Sequence, residues 1–335
     1  MLAAADSWWP MTERTGLGPL ELAILRSVSA TAGTSGTHAR TTTVLGYLDE
    51  VERIGPAYGQ TVLQDLGSWW RVHLRLFDLE GNWGDVAGGA MADARYTEVG
   101  LSQLGELALA SEEGEVGPVP IGLVDGSLYR GGQQPPLDPA RALGAVSKLL
   151  EDDTLLDGDL QRLVGLPSLP TGGRVRGDIE GLYAGRLARL LQSCLITREQ
   201  LQGREALVIT TTPLGVATDQ ITRSLWDSAR VGQEAAPVHY LPDQVPPRTT
   251  DAAVSPTDVV DVREELSGGR GTRIVVLARR GADLDALERW VRRVWPVTIE
   301  TSCRFQGGIA SVLRTWASAC QSDRSGLDRL RGLMS

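Results

Sequence analysis

Along residues 19–30, Leu20, Ala23 or Ile24, and Ser27 or Val28 recur at the three-to-four-residue spacing that places apolar side chains on one helical face. A Gly/Thr-rich break follows, and the stretches at 41–54 and 59–70 predict two more short helices. From residue 71 the pattern "RVHLRLFDLEG" changes to alternation, which predicts a strand entering a turn at Gly81-Asn82. Three short helices followed by a β-wing predict a winged-helix pattern, a relative of the helix-turn-helix. Beyond the turn, Thr97 is placed to cap a helix whose buried face carries Leu101, Leu104 and Leu107 or Ala108, with Glu98 at its positive end. Tyr96 would then stand at a helix N-terminus, where a phosphate is welcome.

The acidic, Pro/Gly-rich tract 110–122 predicts a boundary near residue 115. Beyond it, Asp138 and Pro139 form a strong helix start, as N-cap and first helical residue. The segment 166–177 reads as a loop leading into a strand. The β-rich runs 205–213 and 272–280 are each followed by a helical pattern, at 216–230 and 283–294. Between these pairs, residues 233–258 read as a Pro-rich surface insertion. The fold class is therefore α+β. The expected organisation is a leader at 1–15, a first domain at 16–114, a second at 115–315, and a C-terminal helical remnant at 316–335.

Composition narrows the function. The chain has 335 residues, is 42% hydrophobic, and contains no apolar run long enough to span a membrane, so a cytoplasmic location without membrane contact is expected. A net charge of −9 argues against a broad nucleic-acid-binding surface, because such binding relies on cations that neutralise phosphates. Any DNA contact must be local. Lys148 is the only lysine, so arginines, which make forked phosphate contacts, would provide it. The widely spaced Cys194, Cys303 and Cys320 read as small buried side chains. His38, His73 and His239 are too scattered for a metal set, and no metal site of the chain's own is expected. Trp8-Trp9 and Trp69-Trp70 read as core or interface anchors. The acidic run 257–265 fits a strand better than a metal site.

The dipeptide Arg95-Tyr96 has two readings. Tyr96 is either a packed aromatic beside a surface arginine, or a nucleophile. A tyrosine that attacks a phosphodiester needs a cation nearby, since its ordinary pKa of about 10 leaves it protonated at neutral pH. Arg95 is adjacent in sequence.

The context of this dipeptide resembles the A-type polypeptide of bacterial DNA gyrase and topoisomerase IV. Gly81-Asn82-Trp83-Gly84, the small-residue tract 85–94 and Arg95-Tyr96-Thr97-Glu98 match the family's "GNFG" turn, tract and "RYTE" in order. "TGLGPLELAILRS", "PVPIGLVDG", "LPSLPTGGRVRG" and "VREELSGGRGTRIVVLARRGAD" resemble further family segments, over roughly residues 15–315. The resemblance implies a winged-helix domain followed by a tower-type domain, in a homodimer formed through the winged helix. It implies DNA cleavage by Tyr96 with Arg95, Mg²⁺ supplied through the TOPRIM domain of a gyrase B-like partner, and an ATPase on that same partner. The sequence stops around where the family's coiled coil begins, so neither that coil nor a β-pinwheel is expected.

Arg40, Arg53, Arg130 and Arg174 are the candidate DNA-binding residues. Three departures weigh against cleavage. Glu50, Glu52 and Ile54 stand where the family's "KYHPHGD" supplies a lysine and two histidines, and Glu21-Leu22-Ala23 replaces its "QRR". The loop after residue 124, with Leu128 and Tyr129, is shorter than the family's, which carries a DNA-wedging isoleucine. The alternative is a paralogue that does not cleave DNA and serves as a dimerisation or interaction module.

Overall fold

The computed structural model describes residues 12–127, 132–201, 203–230, 258–265 and 272–334. Trp8, Trp9, Leu128, Tyr129, Arg130, His239 and the insertion up to residue 257 lie outside the described residues.

The first helix, α1 (Pro19–Ala32), starts where proline costs nothing, because the first N–H groups of a helix lack internal partners anyway. The Glu21 carboxylate turns back to accept from the Gly18 N–H, and Leu22, Ile24, Leu25 and Val28 are buried. Glu21, Leu22 and Ala23 are all buried, so the Glu21 carboxylate is turned into the fold and not onto an exposed surface.

The two-residue strand β1 (Ala39–Arg40) runs into α2 (Thr41–Glu52), followed by α3 (Pro56–Gly67) and β2 (Phe77–Glu80). The expected strand thus covers only the end of 71–81. After a long loop come β3 (Glu98–Leu101) and α4 (Gln103–Glu112). These three strands form an antiparallel sheet in the order β1-β3-β2, with Arg40 opposite Glu98 and Glu98 opposite Glu80. Val44, Leu45, Leu48, Val62, Leu63 and Leu66 of α2 and α3 pack with Phe77, Val99 and Leu101 of the sheet.

The helix expected directly after Tyr96 is a strand. Residues 98–101 pair with both neighbouring strands, and α4 starts only after them, capped by the Ser102 hydroxyl accepting from the Gly105 N–H at 3.0 Å. The Thr97 side chain is taken up elsewhere, by Thr41.

The remainder consists of α5 (Ile121–Asp125), α6 (Pro139–Glu151), α7 (Asp157–Val164), β4 (Arg174–Gly177), α8 (Ile179–Tyr183), β5 (Ala188–Ser193), β6 (Ile196–Leu201), β7 (Arg204–Ile209), α9 (Thr218–Arg230), β8 (Val259–Glu264), β9 (Ile274–Ala278), α10 (Leu284–Arg293), β10 (Thr298–Cys303), α11 (Ile309–Cys320) and α12 (Ser325–Leu333). Asp138 caps α6 as expected, accepting from the Arg141 N–H at 2.9 Å. Two further antiparallel sheets have the orders β10-β5-β4 and β6-β7-β9-β8, so small antiparallel sheets with helices give an α+β architecture.

One large buried cluster runs from α1 through Val124, Leu143 and Leu190 to Leu313 and Leu330, so the chain's last helices close onto the core that its first helix opens. A second cluster fills the space between the four-stranded sheet and its helices: Leu207, Ile209, Ile274 and Val276 pack with Ile221 and Leu225 of α9 and Leu287 and Val291 of α10. Their strand neighbours Ala206, Val208, Val275 and Leu277 cluster on the opposite face, as the two-residue period of a strand requires. The acidic run contributes β8, and its carboxylates Asp261 and Glu265 pair with Arg263.

Arg273 bridges this sheet, donating to both oxygens of Glu199 at 2.9 and 2.8 Å and to Glu265 at 2.7 Å. These bonds hold both carboxyls below the usual glutamate range. A depressed folded pKa contributes stability above the unfolded value of about 4.3, and that contribution is lost as pH falls through the folded pKa. Arg273→Met should therefore lower stability at pH 7 by a small amount, and urea denaturation should find the difference from wild type shrinking below about pH 4.

Candidate functional site

The loop joining β2 to β3 is built from short polar contacts. The Asn82 side chain accepts from the Gly84 N–H at 2.9 Å, Asp85 accepts from the N–H groups of Ala87 and Gly89, and the Ala92 N–H returns to the Asn82 carbonyl at 2.9 Å. From α3, Gln60 donates to the Ala92 carbonyl at 3.1 Å and Gln64 donates to the Trp83 carbonyl. The loop is thus gripped by two side chains one helical turn apart. Sequence reading missed both, since a glutamine in a helix carries no signal about a loop twenty to thirty residues away.

Trp83, the aromatic of the Gly-Asn-Trp-Gly turn, is 4% exposed. Its indole N–H is shared between the carbonyls of Glu80, at 3.0 Å, and Glu98, at 3.3 Å, on adjacent strands. Gly81 has φ +89°, and a Cβ there would lie 2.7 Å from the Tyr96 carbonyl oxygen, so only glycine fits. On the far side, the loop carbonyls of Val86 and Ala87 accept from the Thr218 and Asp219 N–H groups at 3.0 and 3.2 Å, which satisfies the open start of α9.

Arg95 and Tyr96 lie in one turn of 3₁₀-helix (Ala94–Tyr96), capped by the Asp93 side chain accepting from the Arg95 N–H at 3.1 Å. Immediately after it, Thr97 is 1% exposed and its hydroxyl is 2.8 Å from that of Thr41, also buried, while the Thr41 N–H donates to the Thr97 carbonyl at 3.0 Å. Tyr96 therefore does not sit at the mouth of the helix that follows it. The helix whose positive end lies beside it is α2, which begins at Thr41.

Tyr96 is 70% exposed. It lines a shallow cavity of about 460 Å³ with Arg40, Glu80, Gly81, Arg95, Thr97 and Glu98. The packed-aromatic reading is thereby ruled out for Tyr96, whereas Arg95 is indeed a surface residue. Its guanidinium forms a forked pair with Asp93, at 3.0 and 3.2 Å, and lies 5.8 Å from the centre of the Tyr96 ring. The pair holds the Asp93 carboxyl below the usual aspartate range. Arg40 makes no ion pair among the described residues. Glu80 and Glu98 sit opposite each other across the strands, with His38 Nδ1 3.7 Å from Glu80.

Of the other candidate residues, Arg53 is exposed at the opposite end of α2, about 18 Å along a twelve-residue helix, and Arg174 is on β4 in a different sheet. Arg130 lies outside the described residues. Glu50 is exposed and Glu52 half-buried. The cysteines are buried, and burial pushes the Cys194 thiol up to about 12 and Cys320 to about 11, so neither is a thiolate nucleophile at neutral pH. His73 is packed against the Ser168 carbonyl at 3.0 Å, and burial lowers its pKa. Among the described residues no three His, Cys, Asp or Glu side chains converge to hold a metal, and no helix is long and apolar enough to cross a membrane.

No family model matches the chain. It is similar to the DNA gyrase A protein of Deinococcus deserti, 24% identical over 298 residues covering 80% of this chain and 34% of that protein. It is also similar to the DNA gyrase A protein of Streptomyces coelicolor, 24% identical over 242 residues, 64% of this chain and 26% of that one. The DNA topoisomerase 4 A protein of Staphylococcus epidermidis is 22% identical over 306 residues, 83% of this chain and 35% of that one. The chain thus spans between about a quarter and a third of the length of these curated relatives.

Trp83→Phe keeps an aromatic ring but removes the indole N–H shared by the Glu80 and Glu98 carbonyls, and the smaller ring leaves part of the buried indole's space unfilled. It should cost about 1–3 kcal/mol in chemical denaturation. Hydrogen exchange should show the added opening concentrated in 80–98 rather than in the four-stranded sheet.

Proposed function

We propose that this chain is a gyrase A-like DNA-binding protein that cleaves a DNA strand through Tyr96, as part of a complex with a second polypeptide supplying TOPRIM and ATPase functions. In this reading the first three helices and sheet are the winged-helix domain, and the segments beyond residue 115 form the tower-type domain. The observation that carries the reading is the exposed Tyr96 phenol, projecting from a braced turn into a cavity shared with Arg40 and Arg95.

In the reaction the Tyr96 oxygen attacks the phosphorus of a phosphodiester. A phosphorus–oxygen bond to the tyrosine forms and the bond to one deoxyribose oxygen breaks, that oxygen leaving as a hydroxyl once it takes up a proton. The phenol proton passes to a base, and the carboxylates of Glu80 and Glu98 are the groups in the cavity able to accept it. Arg40 and the positive end of α2 face the negative charge that gathers on the phosphate oxygens. Mg²⁺, when bound, would lower the cost of that charge. The described residues near Tyr96 do not form a full ligand set for it, so its ligands would have to come largely from the partner. Two copies would pair through the face of α2 and α3 that exposes Tyr47, Val51 and Tyr58.

The second reading, a non-cleaving interaction module, is favoured by the acidic balance of the site: Asp93 neutralises Arg95, and two glutamates face the same cavity. A covalent-complex assay separates the two, using labelled supercoiled DNA, Mg²⁺, candidate gyrase B-like partners and Tyr96→Phe as control. A tyrosine-linked DNA adduct that disappears in Tyr96→Phe is the expected outcome. A folded protein that yields no adduct with any partner contradicts cleavage and leaves the second reading.

A further inference from the structure

We propose that Asp93 is a built-in counter-ion that withholds Arg95 from phosphate, and that DNA must displace its carboxylate before Arg95 can act. The inference rests on the DNA-binding reading above and assigns a regulation to that site. Three hydrogen bonds join the two residues: the Arg95 N–H and Nε–H both donate to Asp93 Oδ1, at 3.1 and 3.0 Å, and Nη2–H donates to Oδ2 at 3.2 Å. The first is a backbone bond that caps the turn, so the carboxylate is fixed by the same contact that shapes the Arg95-Tyr96 backbone. The other two occupy one edge of the guanidinium fork, the geometry by which an arginine would grasp a phosphate.

The charge sum has the same consequence. With Arg95 neutralised, Arg40 is the cavity's one cation without an ion pair among the described residues, facing Glu80 and Glu98. Yet the pair is well exposed, 65% for Arg95 and 53% for Asp93, so water and salt screen it. A restraint of that strength is reversible. A phosphodiester arriving at Tyr96 can take the guanidinium over, whereas a deeply buried pair would hold it permanently.

Asp93→Asn tests this without dismantling the turn, because an asparagine oxygen caps as well as an aspartate oxygen. The whole chain, as wild type, Asp93→Asn, Arg95→Ala and the double variant, is titrated with a short DNA duplex over a series of salt concentrations, with circular dichroism confirming the fold of each. Asp93→Asn should tighten binding roughly two- to fivefold and steepen the salt dependence by about one released counterion. In the Arg95→Ala background most of that gain should vanish. Equal gains with and without Arg95 would mean that Asp93 acts only as a distant negative charge, and would overturn the proposal. Weaker or unchanged binding in Asp93→Asn, with wild type binding normally, would overturn it while leaving the DNA-binding reading intact. If no variant binds the duplex, both fall.

Discussion

Two buried threonines, 56 residues apart in sequence, hold the candidate site in place. The hydroxyls of Thr41 and Thr97 meet at 2.8 Å, and the Thr41 N–H bonds the Thr97 carbonyl, so the first residue of α2 is locked to the residue after Tyr96. Everything that makes Tyr96 accessible follows from that junction. Thr97 is turned inward while Tyr96 before it is exposed, and the chain continues as a strand between β1 and β2 rather than as a helix. Trp83 ties the strands from below, and Gln60 and Gln64 hold the loop from the side. A reactive tyrosine has to be exposed and yet fixed in direction; a rigid turn on a packed base provides both.

The loop reaches beyond its own sheet. By accepting from the first N–H groups of α9, Val86 and Ala87 couple the backbone roughly ten residues before Tyr96 to the four-stranded sheet and its helices. Gly88, at φ +93°, allows this approach, since a Cβ would lie 2.8 Å from an Asp219 carboxylate oxygen. A shift of α9 against the first sheet would thus be felt at the turn carrying the phenol.

Much of this was legible in the sequence, and what was not has identifiable physical reasons. Helix α1, the capped start of α6 and strands β7 and β9 follow from local spacing alone, and the Gly-Asn-Trp-Gly turn from its glycines. The strand after Tyr96 was hidden because Leu101, Leu104 and Leu107 keep a helical interval across the boundary between β3 and α4, and because Thr97 looks like a cap until its distant partner is known. Strand β5 was hidden by Gln192, a polar residue at an inward position. It is 2% exposed and satisfied at both ends, by the Leu214 N–H at 3.0 Å and the Thr301 hydroxyl at 3.2 Å. The Asp93–Arg95 pair lay within a single turn of sequence, but a carboxylate two residues away reveals its partner only once the backbone curls.

If the surface around Tyr96 receives a phosphate backbone, Arg40 is the cation that meets it. Salt dependence of duplex-DNA affinity tests this in wild type, Arg40→Ala and, as a control on β4 in another sheet, Arg174→Ala. Arg40→Ala should bind more weakly with a salt slope reduced by about one, while Arg174→Ala stays close to wild type. Equal losses in the two variants, or a wild-type protein with no salt-dependent affinity for duplex DNA, would contradict that role.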